Sequence, residues 1–327
     1  MRTAVETPAA ASGWWRSPPA RWLKVAVLLL LLVLIPPWSG NPYITTIFIS
    51  AVMFGILGAI YDLMIGFAGL TNFGYAGFIA VGAYASALAT FHYDVNPWLG
   101  LILGGLAGAL LGLFTGVVTL RLRGLYLGLT TWFLAEAIRL TISNATDYTR
   151  GVMGLNVVPF PDLFGVSFAR GQLLSYYYLL LILGAAILIA MALLLRSRVG
   201  LAFRAMREDE LATQSLGLDT VRLKLLNFTL ASAFTGVVGA FYCRYLGILT
   251  PTPEEFGVPR TVEILTIAYV GGRGTLWGSL FAAFLLIGLQ EYFRSLEAWR
   301  LVIYGTLLIT VILFLPKGLA GLRRYLW

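Results

Sequence analysis

Charge, histidine and cysteine are nearly missing from this chain. Only 12% of its 327 residues are charged, about half the share of a soluble domain. Mean hydropathy is +0.85. Those values exclude a soluble globular protein and imply a polytopic membrane protein. A single cysteine, Cys243, excludes a disulfide framework or a thiolate metal site within one chain. A single histidine, His92, reads as lying in a short loop between two apolar segments. It argues against zinc hydrolysis and against a Ser/His membrane protease, which needs its histidine inside the bundle. No His/Cys/Asp/Glu cluster has metal-ligand spacing. Lysine never follows glycine: Lys24, Lys224 and Lys317 follow Leu23, Leu223 and Pro316. No phosphate-binding P-loop can be drawn, so any ATP used must be bound by another subunit.

What is abundant is apolar sequence and glycine, 36 residues of it. Small residues let membrane helices approach closely. Residues 1–21 read as a tail, and residues 22–327 as one all-α transmembrane domain. Ten apolar segments can be drawn, near 22–38, 43–66, 72–90, 97–120, 124–143, 174–195, 224–247, 258–271, 274–292 and 299–316. Most match the roughly 17–25 residues that a bilayer core of about 30 Å requires. The eighth is short and is a half-span or a segment sheltered by protein neighbours. The first ends in Pro36-Pro37-Trp38 without a small-residue cleavage site and reads as an uncleaved span. With the N-terminus inside, lysine and arginine divide 15 inside to 7 outside, Arg273 unassigned. The positive net charge of +8 therefore reads as membrane sidedness, both termini cytoplasmic, and not as nucleic-acid binding.

Two glycine-rich stretches interrupt apolar runs: Gly66–Gly82, containing Thr71 and Asn72, and Val270–Gly278, containing Arg273. Broken membrane helices expose backbone groups that can hold a polar solute. Close helix packing is the competing reading. Among ionisable residues at membrane depth, Glu136 and Arg139 are spaced to pair. Glu263 is the leading candidate to line a pathway, with a snorkelling end residue as the alternative. Arg244 reads as an interfacial anchor and Asp62 as an inner-surface residue. The outer loop 144–173 mixes turn formers with apolar residues. It is a folded lid or docking surface, or else an ordinary connector.

One charged island remains. Arg196–Lys224 carries six basic and four acidic residues between two nearly uncharged apolar segments. Its middle, Gly200 to Gly217, has amphipathic helical periodicity. Lipid gives such a helix no reason to exist, whereas a partner protein does; a solvated loop is the alternative.

Three stretches carry a family resemblance. GFAGLTNFGYAGFIAVGAY (66–84), RSRVGLAFRAMREDELATQSLGLD (196–219) with RLKLLNF (222–228), and YVGGRGTLWG (269–278) with LPKGLAGL (315–322) resemble permease subunits of high-affinity branched-chain amino acid ABC importers. The resemblance is to the LivM-like half of the permease pair. It implies a bacterial inner-membrane importer subunit, a bundle of about ten transmembrane or half-spanning helices. The implied partners are a homologous LivH-like permease, two cytoplasmic ATPase subunits that bind ATP and Mg, and an extracytoplasmic solute-binding protein. It implies a substrate pathway near Thr71, Asn72, Tyr75, Glu263 and Arg273. It also implies that loop 196–224 couples to the ATPase through Arg204, Arg207, Glu208, Asp209, Glu210 and Gly217, with Leu201 and Leu211 packing the coupling helix. The chain departs from the family pattern at Leu70, Asn72 and Tyr75, where glutamine, serine and histidine are frequent, and at Arg273, where charge is unusual. Glu210-Leu211-Ala212 with Gly217 only approximates the general importer coupling motif. Related permeases carry other amino acids, urea, short amides or aromatic acids. An ion-coupled secondary transporter and a membrane enzyme are the competing classes.

Overall fold

A computed structural model describes residues 34–38, 40–120, 122, 124–163 and 165–293, together with 305, 306, 309 and 318. The tenth apolar segment and most of the first lie outside the described residues. The other eight are helices: α1 (Pro42–Asp62), α2 (Tyr75–Tyr93), α3 (Pro97–Thr119), α4 (Gly124–Asn144), α6 (Leu173–Arg196), α9 (Thr220–Leu246), α11 (Val258–Gly271) and α12 (Gly278–Tyr292). Short helices fill the connections: α5 (Thr146–Thr149), α7 (Arg198–Glu208), α8 (Glu210–Ser215) and α10 (Pro253–Phe256). Among the described residues, five helices are long and apolar enough to cross a membrane. The protein is a polytopic all-α membrane protein.

Local chemistry sets the helix starts. Asn41 and Asn96 accept from the amides of Tyr43 and Trp98, at 3.0 and 2.9 Å, just ahead of Pro42 and Pro97. Asparagine at the cap and proline in the first turn are the preferred pair. Asp219 caps α9 through the Arg222 amide at 3.1 Å.

α3 is inverted relative to a helix of a soluble protein. Gly100, Gly104, Gly108, Gly112 and Gly116 recur every fourth residue and face inward. Leu99, Ile102, Leu106, Leu110 and Leu113 are exposed. A Cβ on Gly108 or Gly112 would collide with the backbone oxygen of Ser232 or Phe228 on α9. Gly82 of α2 meets Gly236 of α9 in the same way. Three helices thus touch backbone to backbone, the close approach that small residues permit in lipid. The packing reading of the glycine-rich stretches holds at Gly82, and a Cβ on Gly74, Gly271 or Gly278 would likewise meet backbone atoms.

The 144–173 loop is folded. Leu155–Asn156 pairs antiparallel with Ile248–Leu249. Phe160 and Phe168 bury against Trp98 and Tyr176, with Trp98–Phe160 ring centroids 4.6 Å apart. Tyr148, Val152 and Met153 remain exposed at its tip.

Arg244 corrects the sequence reading. It is only 2% exposed, donates to Ser86 Oγ (2.6 Å) and Thr90 Oγ1 (3.0 Å), and lies over the Phe160 ring. It is an internal tie between α9, α2 and the loop, not an interfacial anchor.

Candidate functional site: two broken helices under a charged helix pair

α1 does not end cleanly. Beyond Asp62 the chain makes one π-helical turn, Leu63–Phe67, before breaking at Ala68. Such turns leave backbone groups without their usual partners and gather at functional sites. The Leu63 carbonyl is taken up from outside: Asn227 Nδ2 of α9 donates to it at 3.0 Å. The second break follows α11, whose fourteen residues rise about 21 Å, too short for a bilayer core. It runs Gly272–Trp277 before α12 begins.

The two breaks meet. Asp62 is fully buried, and its carboxylate accepts from the Gly274 amide at 2.8 and 2.9 Å and the Thr275 amide at 2.9 Å. Asp62 is therefore not a surface residue. It is the clasp between two segments more than two hundred residues apart in sequence. A Cβ on Gly66 would strike both that carboxylate and the Gly274 amide, and Gly274 holds φ +81°, which favours glycine. Both glycines are required by the clasp itself.

The charged island reaches this clasp. It is two helices, not the single helix that its periodicity suggests. Asp209 is extended at φ −155° and caps α8, accepting from Leu211 and Ala212 amides at 2.8 and 3.0 Å. An aspartate there ends one helix by starting the next. Phe203 and Met206 anchor α7 in the core. From α7, the Arg207 guanidinium donates to the Gly66 carbonyl. Its side chain crosses Gly69 (φ +72°) and ends beside Gly274. Arg204 lies 5.5 Å from the Phe67 ring centroid, and Arg273 lies 5.3 Å from that of Tyr269.

The remaining island residues divide by contact. Glu210 pairs with the buried Lys224 at 2.7 Å, and Gln214 donates to Thr220 Oγ1 at 2.7 Å, which fastens α8 to the start of α9. Gly217, at φ +82°, turns the chain between them. Leu201 and Leu211 do not pack against this chain; they are 60% and 61% exposed, and Leu216 is 79% exposed. Glu208 also points outward, its side chain 80% exposed.

The structure does not gather the five expected pathway residues into one site. Thr71 donates to the Gly124 carbonyl at 2.8 Å. Buried Asn72 accepts from the Gly74 amide at 2.9 Å. Tyr75 donates to Leu57 O at 3.2 Å and receives the Thr235 hydroxyl at 2.6 Å. These three shape the first break and the start of α2. Glu263 lies elsewhere and is paired: Arg260 Nη1 donates to it at 2.9 Å and Gln290 Nε2 at 3.1 Å. Arg260 also binds Glu255 at 3.0 Å, and Tyr242 donates its hydroxyl to Glu255. Glu136 and Arg139 pair as their spacing suggests, Arg139 Nε donating at 3.0 Å. Among the described residues, no group of three His, Cys, Asp or Glu could hold a metal ion.

A family described as branched-chain amino acid transport system / permease component matches residues 43–312, a span that takes in both breaks and the charged helix pair. The chain belongs to this family. It is 32% identical over 323 residues to the high-affinity branched-chain amino acid transport system permease protein LivM of Salmonella typhimurium, covering 91% of this chain and 75% of that one. The LivM protein of Escherichia coli K12 is 32% identical over 320 residues, with the same coverage. The permease protein LivH of Escherichia coli K12 is 26% identical over 280 residues, covering 80% of this chain and 89% of LivH. No solved structure matches. As a member of a permease family, the chain is a transport subunit in which buried polar groups hold breaks and helices together.

Sequence reasoning misplaced Asp62 at the inner surface and gave Asn227, Arg260 and Lys224 no role in the site. Their signal was present: each is a polar residue inside or at the edge of an apolar run, where lipid cannot satisfy it.

Proposed function

We propose that this chain is a membrane-spanning permease subunit of an ATP-binding-cassette importer, moving branched-chain amino acids inward by alternating access. It pairs with a homologous LivH-like permease in a bacterial inner membrane. Two cytoplasmic ATPase subunits bind and hydrolyse ATP with Mg, and an extracytoplasmic binding protein delivers the solute. The lysine and arginine bias supports a cytoplasmic position for α7 and α8 and for both termini.

One observation carries this reading. α7 presents one face to the outside and from its other face sends Arg207 to the clasp between the two broken helices. A rigid-body push on α7 therefore acts on both breaks at once. Transmission through a packed element with two arrangements is how such transitions spread. An ion-coupled transporter would need a membrane carboxylate poised to exchange protons or ions. Glu136 and Glu263, the carboxylates that could serve there, are instead held by Arg139 and Arg260.

The partner-facing residues follow from exposure. Leu201, Glu208, Leu211 and Leu216 point outward, whereas Asp209 and Glu210 serve the fold of the loop itself. Leu211→Asp is expected to weaken ATPase co-purification by roughly thirtyfold, about 2 kcal/mol for a buried interface anchor, while the detergent-solubilised chain stays folded. Glu210→Lys is expected to unfold α8 by opposing Lys224. Full retention of the ATPases by Leu211→Asp counts against docking on α8.

A further inference from the structure

The cluster of Arg260, Glu255 and Glu263 lies far along α1 from the charged helix pair. Phe54, whose ring centroid lies 4.9 Å from the Arg260 guanidinium, stands eight positions before Asp62, about 12 Å along the helix. The cluster is therefore near the middle of α1 rather than at its end. Ionisable groups at that depth are costly and are kept where they have work to do.

Two features of the cluster are incomplete. Arg260 Nε is buried and has no hydrogen-bond partner. One guanidinium also faces two carboxylates, Glu255 at 3.0 Å and Glu263 at 2.9 Å, which leaves one negative charge in excess. An unmet buried donor and an unbalanced carboxylate each lower stability. A ligand carrying both a carboxylate and an ammonium offers a partner to each, and leaves the net charge of the cluster unchanged.

The same place offers an apolar wall. A narrow cavity is lined by Met53, Phe54, Leu57 and Ile79 on one side, and by Tyr242, Glu255 and Arg260 on the other. It is too tight in this closed arrangement for a solute. A second cavity, between Gly74, Phe78, Leu111 and Ala135, has no charged residue in its lining. The first brings Glu255 and Arg260 to the edge of an apolar wall.

We infer that Arg260 and Glu255 form a mid-membrane station for an α-amino acid zwitterion, its aliphatic side chain lying against Leu57 and Ile79. This rests on the importer reading above and adds where the chain recognises its solute. The carboxylate meets the Arg260 guanidinium, freeing Glu255 to take the ammonium. Glu263, which itself accepts from Gln290, holds Arg260. α11 carries Arg260 and Glu263 and ends in Gly271, directly before the turn clasped by Asp62. Release of the clasp thus moves the station's own helix, which links ATP-driven motion at Arg207 to opening of the cavity.

The test uses the assembled importer in proteoliposomes, with binding protein and ATP, measuring uptake of L-isoleucine, L-valine and L-alanine. Glu255→Gln is expected to raise KM for all three by about tenfold or more, since it removes a charged hydrogen-bond partner common to them. Ile79→Val keeps every charge and loses one methylene from the wall. It is expected to shift the isoleucine-to-valine uptake ratio by up to about tenfold, with the alanine rate as reference. The binding protein's own preference cancels when each ratio is divided by that of the unaltered importer. Unchanged KM values in Glu255→Gln, or an unchanged ratio in Ile79→Val, overturns the station and leaves the importer reading standing. If Glu255→Gln fails to assemble with the ATPases, the Ile79→Val ratio decides. Failure of the unaltered importer to take up any of the three amino acids overturns the importer reading, and the station with it.

Discussion

An Asp62→Ala chain is expected to lose roughly 2–6 kcal/mol of stability, enough to remove most of the folded protein. The Gly274 and Thr275 amides each lose their acceptor, and a buried amide left unpaired costs about 1–3 kcal/mol. Water cannot substitute, because Asp62 is fully buried. Asp62→Asn keeps one carbonyl acceptor and is expected to fall between the two. The measurement is the thermal midpoint of the purified chain in detergent, with yield as a second readout. A midpoint equal to that of the unaltered protein would show that the two breaks are not joined through this carboxylate.

Arg207→Ala is expected to abolish transport at least tenfold more severely than it disturbs folding. The helix α7 is anchored by Phe203 and Met206, which the substitution leaves in place, so the docking surface should persist and the ATPases should still co-purify. What is lost is a side chain that touches Gly66, Gly69 and Gly274 together. ATP hydrolysis is then expected to continue without solute movement. Arg207→Lys should not restore coupling, because a single ammonium cannot reproduce the guanidinium's planar fork across two segments. Arg204→Ala serves as the control: an exposed cation over an aromatic ring is worth about 0.5–1 kcal/mol, and transport should change little. Normal coupling in Arg207→Ala would remove this arginine from the transmission path.

The span pattern, the two glycine breaks and the charged island were all legible in the sequence, because each is a local property. Hydrophobic length fixed the eight helices seen, and even the bounds of α11 were readable from Val258 to the glycine pair. The pairing of those features was not legible. Asp62 read as a surface residue since it ends an apolar run, and its partners lie at Gly274 and Thr275, which no periodicity connects to it. Arg244 read as an anchor for the same reason; its partners Ser86 and Thr90 are on another helix. Glu263 read as a pathway residue although Arg260, three residues before it in the same segment, lay within pairing reach on a helix. The island read as one helix because its periodicity continues through Asp209, where the capping chemistry of a single side chain overrides it.

Reconstitution tests the central claim most directly. Proteoliposomes are made with the purified chain alone, and with the chain, its partner permease and the ATPase subunits together, each supplied with binding protein and a branched-chain amino acid. Uptake is expected only in the full assembly, only with ATP and Mg, and is expected to vanish in Arg207→Ala. Uptake driven by an ion gradient in vesicles holding this chain alone, without any ATPase, would contradict it.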